Sequence, residues 1–315
     1  MPRSASIARH RFAVLTAGAT YALLFLGGLV TSTGSGLAVP DWPLSFGQVF
    51  PAMVGGVLFE HGHRLAASTV GLLTLVLSIW TVVREQRPSV RALGILMLVA
   101  VILQGVLGGV TVLYKLPLAV SVTHACLAQT FFCLTVAMAV VTGPAWGTPR
   151  ARPLELATPL PALAACTTAL VFVQLVLGAL VRHTGAGLAI PDFPLAFGRV
   201  VPPLETPLIA LHFAHRVGAA AITCLSLTLA STIFRSDWTD GRLRRLAGFE
   251  LAILVAQIAL GASIIWTRRA VVPTTTHLVV GAALLATCLV ITLRAARGAV
   301  PSPVPQDLLR HAVPA

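Results

Sequence analysis

Residues 27–47 read GGLVTSTGSGLAVPDWPLSFG, and residues 178–198 read GALVRHTGAGLAIPDFPLAFG; the two stretches agree at 14 of 21 positions with an offset of 151. Each begins in an apolar run and ends in a loop whose Pro and Gly density gives rigid turns. Outward from this pair the match continues. His63-Arg64 corresponds to His215-Arg216 at an offset of 152, and Gln104 with Gly108 to Gln257 with Gly261 at 153. His124 corresponds to His277, also at 153. Small drifts of this kind are what loop insertions produce. The chain is an internal duplication.

Apolar runs of spanning length, roughly 20 residues each, fall near 13–33, 56–82, 92–113, 120–142, 161–182, 207–234, 247–267 and 273–294. The repeat unit is therefore four spans. Four is even, so both copies enter from the same side, as a parallel repeat about an axis along the membrane normal. The expected fold class is an all-α integral membrane protein, with eight transmembrane helices in two pseudo-symmetric four-helix bundles. Its expected domains are 1–142 and 161–315, joined by a Pro- and Gly-rich cytoplasmic linker over 143–160.

Composition agrees. The 315 residues are 57% hydrophobic and only 10% charged, with a mean hydropathy of +0.90, against about 25% charged in ordinary globular chains. Too few polar side chains exist to cover a soluble surface. The formal net charge of +12 raises nucleic acid as a partner, but the arginines sit in short gaps between spans, where membrane topology explains them. Of the 22 basic residues, 15 fall on one side: the N-terminal segment, the gaps after spans two, four and six, and the end after span eight. The positive-inside rule makes that side cytoplasmic, with both termini inside. The basic start (Arg3, Arg9, Arg11) runs into a full-length apolar segment, which reads as a first span rather than a cleaved signal. Cys126, Cys133, Cys166, Cys224 and Cys288 all lie inside spans, which leaves neither a loop disulfide nor a CxxC metal site.

Ionisable groups within spans are costly and therefore functional candidates. His63, His124, His215 and His277 lie within one to two turns of the outer ends of spans two, four, six and eight, in a single layer. Two neutral imidazoles on facing helices form an axial pair for haem iron. Interhelical hydrogen bonding is the plainer use of a membrane His. Zinc is disfavoured because Cys or carboxylate co-ligands are missing beside each pair. Arg64 and Arg216 each follow a candidate ligand; a buried Arg needs an anion, and haem carries two propionates, while snorkelling to the interface is the alternative. Glu60, three residues before His63 and on the same face, has His212 as its second-half counterpart. A carboxylate beside one porphyrin alone suits proton transfer in the first half; a structural hydrogen bond is the rival reading. His61 is expected on another face, and His61, His183 and His212 receive no role. The outer loops, Pro40-Asp41-Trp42-Pro43 and Pro191-Asp192-Phe193-Pro194, read as scaffolding.

Together these features resemble the haem A synthase family, the CtaA and Cox15 proteins. The matching motifs are Glu60-His61-Gly62-His63-Arg64 in span two, His212 to Arg216 in span six, one His in each of spans four and eight, and the repeated TG-x-G-x-x-x-P-[DN]-[WF]-P-L loop. The resemblance covers nearly the whole chain. It implies oxidation of the C8 methyl of haem O to a formyl group, through the hydroxymethyl compound haem I, to supply haem A to terminal (cytochrome c) oxidase. It implies that His63 and His124 hold substrate haem O with Glu60 beside it, and that His215 and His277 ligate a haem b cofactor. It further implies a plasma-membrane setting, haem O synthase as a neighbour, and an electron donor or acceptor. Many bacterial members carry a Cys pair in the outer loops; here those loops have none. The rival reading is a quinol-linked di-haem b-type electron carrier; a parallel-repeat transporter is disfavoured by the layered histidines.

Overall fold

Helices dominate the chain because its apolar runs, placed in lipid, must satisfy every backbone N–H and C=O internally. A computed structural model describes residues 3–146, 151–152, 160–236, 239–297 and 300–301. It contains α1 (Arg3–Ser32), α2 (Gly56–Arg84), α3 (Pro88–Leu113), α4 (Leu118–Thr142), α5 (Leu160–His183), α6 (Pro207–Arg235), α7 (Gly241–Trp266) and α8 (Val271–Ala296). All eight are long and apolar enough to cross a membrane, which makes the chain a multi-pass membrane protein. The expected linker over 143–160 lies largely outside the described residues, as do Arg150 and Arg310. What is described there is a 3₁₀ turn, Pro144–Trp146, and a two-residue parallel pairing of Ala151–Arg152 with Val300–Pro301.

The helix starts follow local chemistry. Pro88 and Pro207 stand in first turns, where no N–H is needed. Thr206 caps α6 by accepting from Ile209 N, and Asp240 caps α7 by accepting from Arg242 N and Leu243 N. Within helices, Thr16, Thr20, Thr74 and Thr142 return their hydroxyls to the carbonyl four residues back, which hides a polar group where lipid offers no partner.

Helices α1 to α4 pack in a ring, α1 on α2, α2 on α3, α3 on α4 and α4 on α1; α5 to α8 repeat the pattern. The rings meet where α8 packs on α1 and α4, and α4 on α5. That seam is apolar and aromatic: Leu24, Phe132 and Ala282 are buried in it, and Tyr21 stacks on Phe132 at 5.6 Å. Each ring keeps its own core, around Leu77, Met97 and Met138 in the first and Leu229, Ile233 and Ile291 in the second. Outward-facing Leu72, Val83, Val255 and Phe249 are exposed, as lipid-facing side chains must be.

On one face of the molecule, long loops join α1 to α2 and α5 to α6. They are built alike. Asp41 accepts from Phe46 N and Gly47 N at 2.7 and 2.8 Å, and Asp192 accepts from Phe197 N and Gly198 N at the same distances. Gly47 (φ 69°) and Gly198 (φ 71°) occupy the left-handed region that this tight return requires.

Candidate site of four glycine-seated histidines

All four candidate histidines sit on even-numbered helices near the long-loop face, and each has its imidazole against a glycine of the preceding helix. A Cβ added to Gly27, Gly108, Gly178 or Gly261 would meet the Cε1 of His63, His124, His215 or His277 at 3.0, 3.3, 3.2 and 3.3 Å. Only glycine lets a ring approach a helix backbone this closely. In three of the four pairs a glutamine one turn before the glycine faces the histidine. Gln104 Nε2 donates to His124 O at 3.0 Å, and Gln174 Nε2 to His215 O at 2.6 Å. Gln257 Nε2 lies 3.4 Å from His277 Nε2, while His277 Nδ1 lies 3.1 Å from Gln257 O. The corresponding place beside His63 is Leu23.

His63 and His124 lie within electrostatic reach of one another, and so do His215 and His277. The layer is rich in polar atoms without partners: the Nδ1 of His63, His124 and His215 and the Oε1 of Gln104, Gln174 and Gln257 are buried and unbonded among the described residues. Buried polar atoms in a folded protein nearly always have partners. Four imidazoles in facing pairs, flanked by glycine floors and unpartnered polar atoms, fit flat metalloporphyrins held by bis-imidazole ligation. The cleft at the opposite end of α7 and α8, lined by Arg242, Arg245, Leu246, Phe249, Val290 and Arg294, contains none of them.

Glu60 is 4% exposed and has both oxygens engaged: Oε1 with Arg64 Nη2 at 2.6 Å, Oε2 accepting from Val39 N at 2.8 Å. His212 takes the same structural place, with Nδ1 3.3 Å from Ile190 N and Nε2 3.4 Å from Arg216 Nε, of which a neutral ring accepts from one. The expected Glu60/His212 exchange is thus carboxylate for imidazole on one scaffold. Arg64 donates to Asp41 O, Leu44 O and Ser45 Oγ, and Arg216 to Leu195 O, Asp192 O and Ile190 O. Both guanidinium groups are turned into the loops, clamping them over the histidine layer. Each still keeps a donor beyond those the loop uses.

His61, expected to face elsewhere, is buried at 5% exposure, with Nδ1 2.7 Å from Ser45 Oγ. It ties the loop to α2 from above, an arrangement invisible in the sequence until the loop folds back. The second half replaces both partners together, with Phe213 and Ala196. Trp42 likewise packs over Gly109, where a Cβ would collide with its indole; the second half has Phe193 and Ala262 there. His183 lies within electrostatic reach of His124. Glu250, which the sequence reading passed over, is fully buried on α7 with Cys288 Sγ 3.7 Å from its Oε1.

Residues 53–289 match the COX15-CtaA family, described as cytochrome oxidase assembly protein. Among curated proteins, the chain is 36% identical to the heme A synthase of Symbiobacterium thermophilum over 244 residues, covering 75% of this chain and 78% of that one. It is 29% identical to the heme A synthases of Shouchella clausii (82% and 87% covered) and Halalkalibacterium halodurans (81% and 86%).

Proposed function

This chain belongs to the COX15-CtaA family of cytochrome oxidase assembly proteins, and on that footing we propose how it acts. It is a haem A synthase, an oxidoreductase whose substrate is haem O. The finer reading is that the C8 methyl of haem O is oxidised to a formyl group through the hydroxymethyl compound. Counted with water as the oxygen source, –CH3 + H2O gives –CHO + 4 H⁺ + 4 e⁻. The observation that carries the site assignment is the row of glycine-seated histidines with unpartnered imidazole nitrogens.

In this reading His63 and His124 hold the substrate in the first half, 1–142, and His215 and His277 hold a resident haem b in the second, 161–315. Haem b, when bound, supplies one-electron transfer. The remaining work belongs to side chains. Arg64 fixes one oxygen of Glu60 and the Val39 N–H fixes the other, so the carboxylate stays one turn above His63. Each oxygen retains a lone pair, and through these Glu60 takes up protons released during oxidation and passes them toward the long-loop face. Arg64 and Arg216 close the loops over the two sites, and their remaining donors serve propionate carboxylates. The long-loop face is extracytoplasmic, both termini are cytoplasmic and the membrane is the plasma membrane.

Haem analysis of membranes from cells making the variants tests this. Glu60→Gln keeps size and hydrogen bonding but removes the ionisable group. A general acid–base group contributes about 10²–10⁴-fold in rate, so haem A falls to traces while haem O or its alcohol accumulates. Near-normal haem A would reject the catalytic role. His215→Ala should remove the permanent haem from purified protein; an unaltered visible spectrum with full activity would overturn the ligand assignment.

A further inference from the structure

Three of the differences between the two halves on the long-loop face lie together at the ends of helices. Arg182 stands where the first half has Thr31, His183 where it has Ser32, and Arg269 where it has Leu116. Thr31 merely returns its hydroxyl to Gly27 O. Arg182, in the last turn of α5, reaches across the seam: its Nη2 donates to Gly28 O at 2.8 Å and to Ser32 Oγ at 2.7 Å on α1. Ser32 Oγ also accepts from Thr275 Oγ1 of α8 at 2.8 Å. Arg269 lies in the turn between α7 and α8 with φ 67°. Its Cδ is 3.9 Å from where a Gly187 Cβ would stand, the contact Leu116 makes with Gly36 in the first half at 3.5 Å.

Both cations bear on one place. Arg182 is within electrostatic reach of Arg269, and His277 is within reach of Arg182. The contacts of Arg182 are to neutral oxygens. Among the described residues the ion pairs are Arg9–Glu85, Arg64–Glu60 and Arg87–Glu85, none of which involves Arg182 or Arg269. Two guanidinium groups repel each other at the end of the second-half histidine layer, and a cation at membrane depth ordinarily finds a partner. The complement is an oxyanion, bound most strongly by the planar guanidinium fork as a carboxylate.

We propose that Arg182 and Arg269 form a carboxylate-binding site for the acidic side chains of the macrocycle held between His215 and His277. This rests on the haem reading of the second half. The site is absent from the first half by sequence, where Thr31 and Leu116 offer no charge, so the permanent group gains a fastening that the exchangeable one, with Arg64 alone, lacks. A lipid phosphate shares the chemistry and is the other source of an oxyanion at this depth.

The test uses full-length protein carrying His63→Ala, made in haem-limited cells, so that only the second site loads. Iron protoporphyrin IX and its dimethyl ester are titrated in separately, and the bis-histidine absorbance is read. A charge-assisted hydrogen bond corresponds to about 10-fold or more in affinity, so the diacid binds at least about 10-fold more tightly than the ester. Arg182→Gln or Arg269→Gln lowers that preference several-fold, leaving the part that Arg216 supplies, while Arg182→Lys keeps most of it. Ser32→Ala, which removes the contact to α1 but not the cation, leaves the preference intact. If both glutamine variants keep the full preference, the proposal falls. It falls equally if the ester matches the diacid in unmutated Arg182 protein while the glutamine variants lose binding to phosphatidylglycerol vesicles, which would make this a headgroup site. Failure of either porphyrin to give a His215-dependent signal would instead remove the haem reading itself.

Discussion

Replacing Gly261 with Ala sets two effects of opposite sign against each other. In an ordinary helix interior, Ala is favoured over Gly by about 1 kcal/mol. At Gly261 the new methyl would stand 3.3 Å from His277 Cε1, tighter than ordinary contact, so the ring or the helix must move by a few tenths of an ångström. The ring is not free to move, because Gln257 O lies 3.1 Å from its Nδ1 and Gln257 Nε2 lies 3.4 Å from its Nε2. Overpacking of this kind costs about 1–3 kcal/mol, so the net runs from about neutral to about 2 kcal/mol destabilising. Gly248, in the same helix, faces open space; Gly248→Ala feels only the propensity gain of about 1 kcal/mol. Thermal unfolding in one detergent should therefore separate the two variants by about 1–3 kcal/mol, with Gly248→Ala above the parent and Gly261→Ala at or below it. The visible spectrum of the haem proposed for the second half should change for Gly261→Ala alone. Gly27→Ala, with the closest approach at 3.0 Å, should be the most severe of the four seats. A Gly261→Ala protein with an unaltered spectrum and the same gain in stability as Gly248→Ala would refute the seating of the imidazole on the glycine.

Removing either partner of the buried His61–Ser45 bond leaves the other unsatisfied, at a cost of about 1–3 kcal/mol. His61→Phe with Ser45→Ala should recover much of that loss, since the second half already uses Phe213 and Ala196, and a double-mutant cycle that shows strict additivity would deny the bond. Glu85, at the end of α2 away from the long loops, is held down to about 2, first by the Arg87 side chain and also by Arg9. Its folded value is depressed, so its contribution is complete above the usual carboxylate range and is lost as pH falls from about 4.5 toward 2; Glu85→Gln should flatten unfolding against pH in that window alone. Asp41 and Asp192 are lowered by the N–H groups of the residues they cap, Gly47 and Phe46, and Gly198 and Phe197. The sign is the same, so limited proteolysis of both loops should quicken as pH falls below about 4, and acid-insensitive loops would contradict the capping. Reporter fusions at 83–91 and 235–246 should read as cytoplasmic and those at 34–55 and 183–206 as external; the reverse pattern would overturn the arginine-based orientation.

The spans were legible because Pro and Gly punctuate them: the runs at 56–82 and 207–234 became Gly56–Arg84 and Pro207–Arg235. The first helix begins at Arg3 rather than near 13, since apolarity marks where lipid starts and not where a helix does. The histidine layer was legible from the repeat alone. Its glycine floor was not, because which helix faces which depends on the ring order, although Gly108 and Gly261 already stood out as repeat partners. The loop contacts of the arginines were hidden for a similar reason. Arg64 and Arg216 flank ligand candidates in sequence, yet the loop atoms that occupy them lie 19 to 26 residues away. Arg182, which reaches the seam, lies at a span end and carried no sequence signal beyond its missing counterpart.

A duplicated scaffold that performed one task twice would keep its polar interior equal in both halves, and this one does not. In the first half His63 has Leu23 where His215 has Gln174, so its backbone carbonyl lacks the 2.6 Å bond that steadies His215. Thr31 and Leu116 supply no cation where Arg182 and Arg269 do. At the other end of the ring, Met97 is packed in the core where Glu250 is buried beside Cys288. Each exchange removes a polar fastening from the first half, while its loop gains one, His61 to Ser45, that the second half lacks. A group that must leave after every turnover needs a weakly fastened seat under a well-held lid. A group that stays needs the reverse. The direction of these exchanges, read residue by residue, therefore supports the proposed placing of the substrate in the half that holds Glu60 and of the resident haem in the half that holds Arg182.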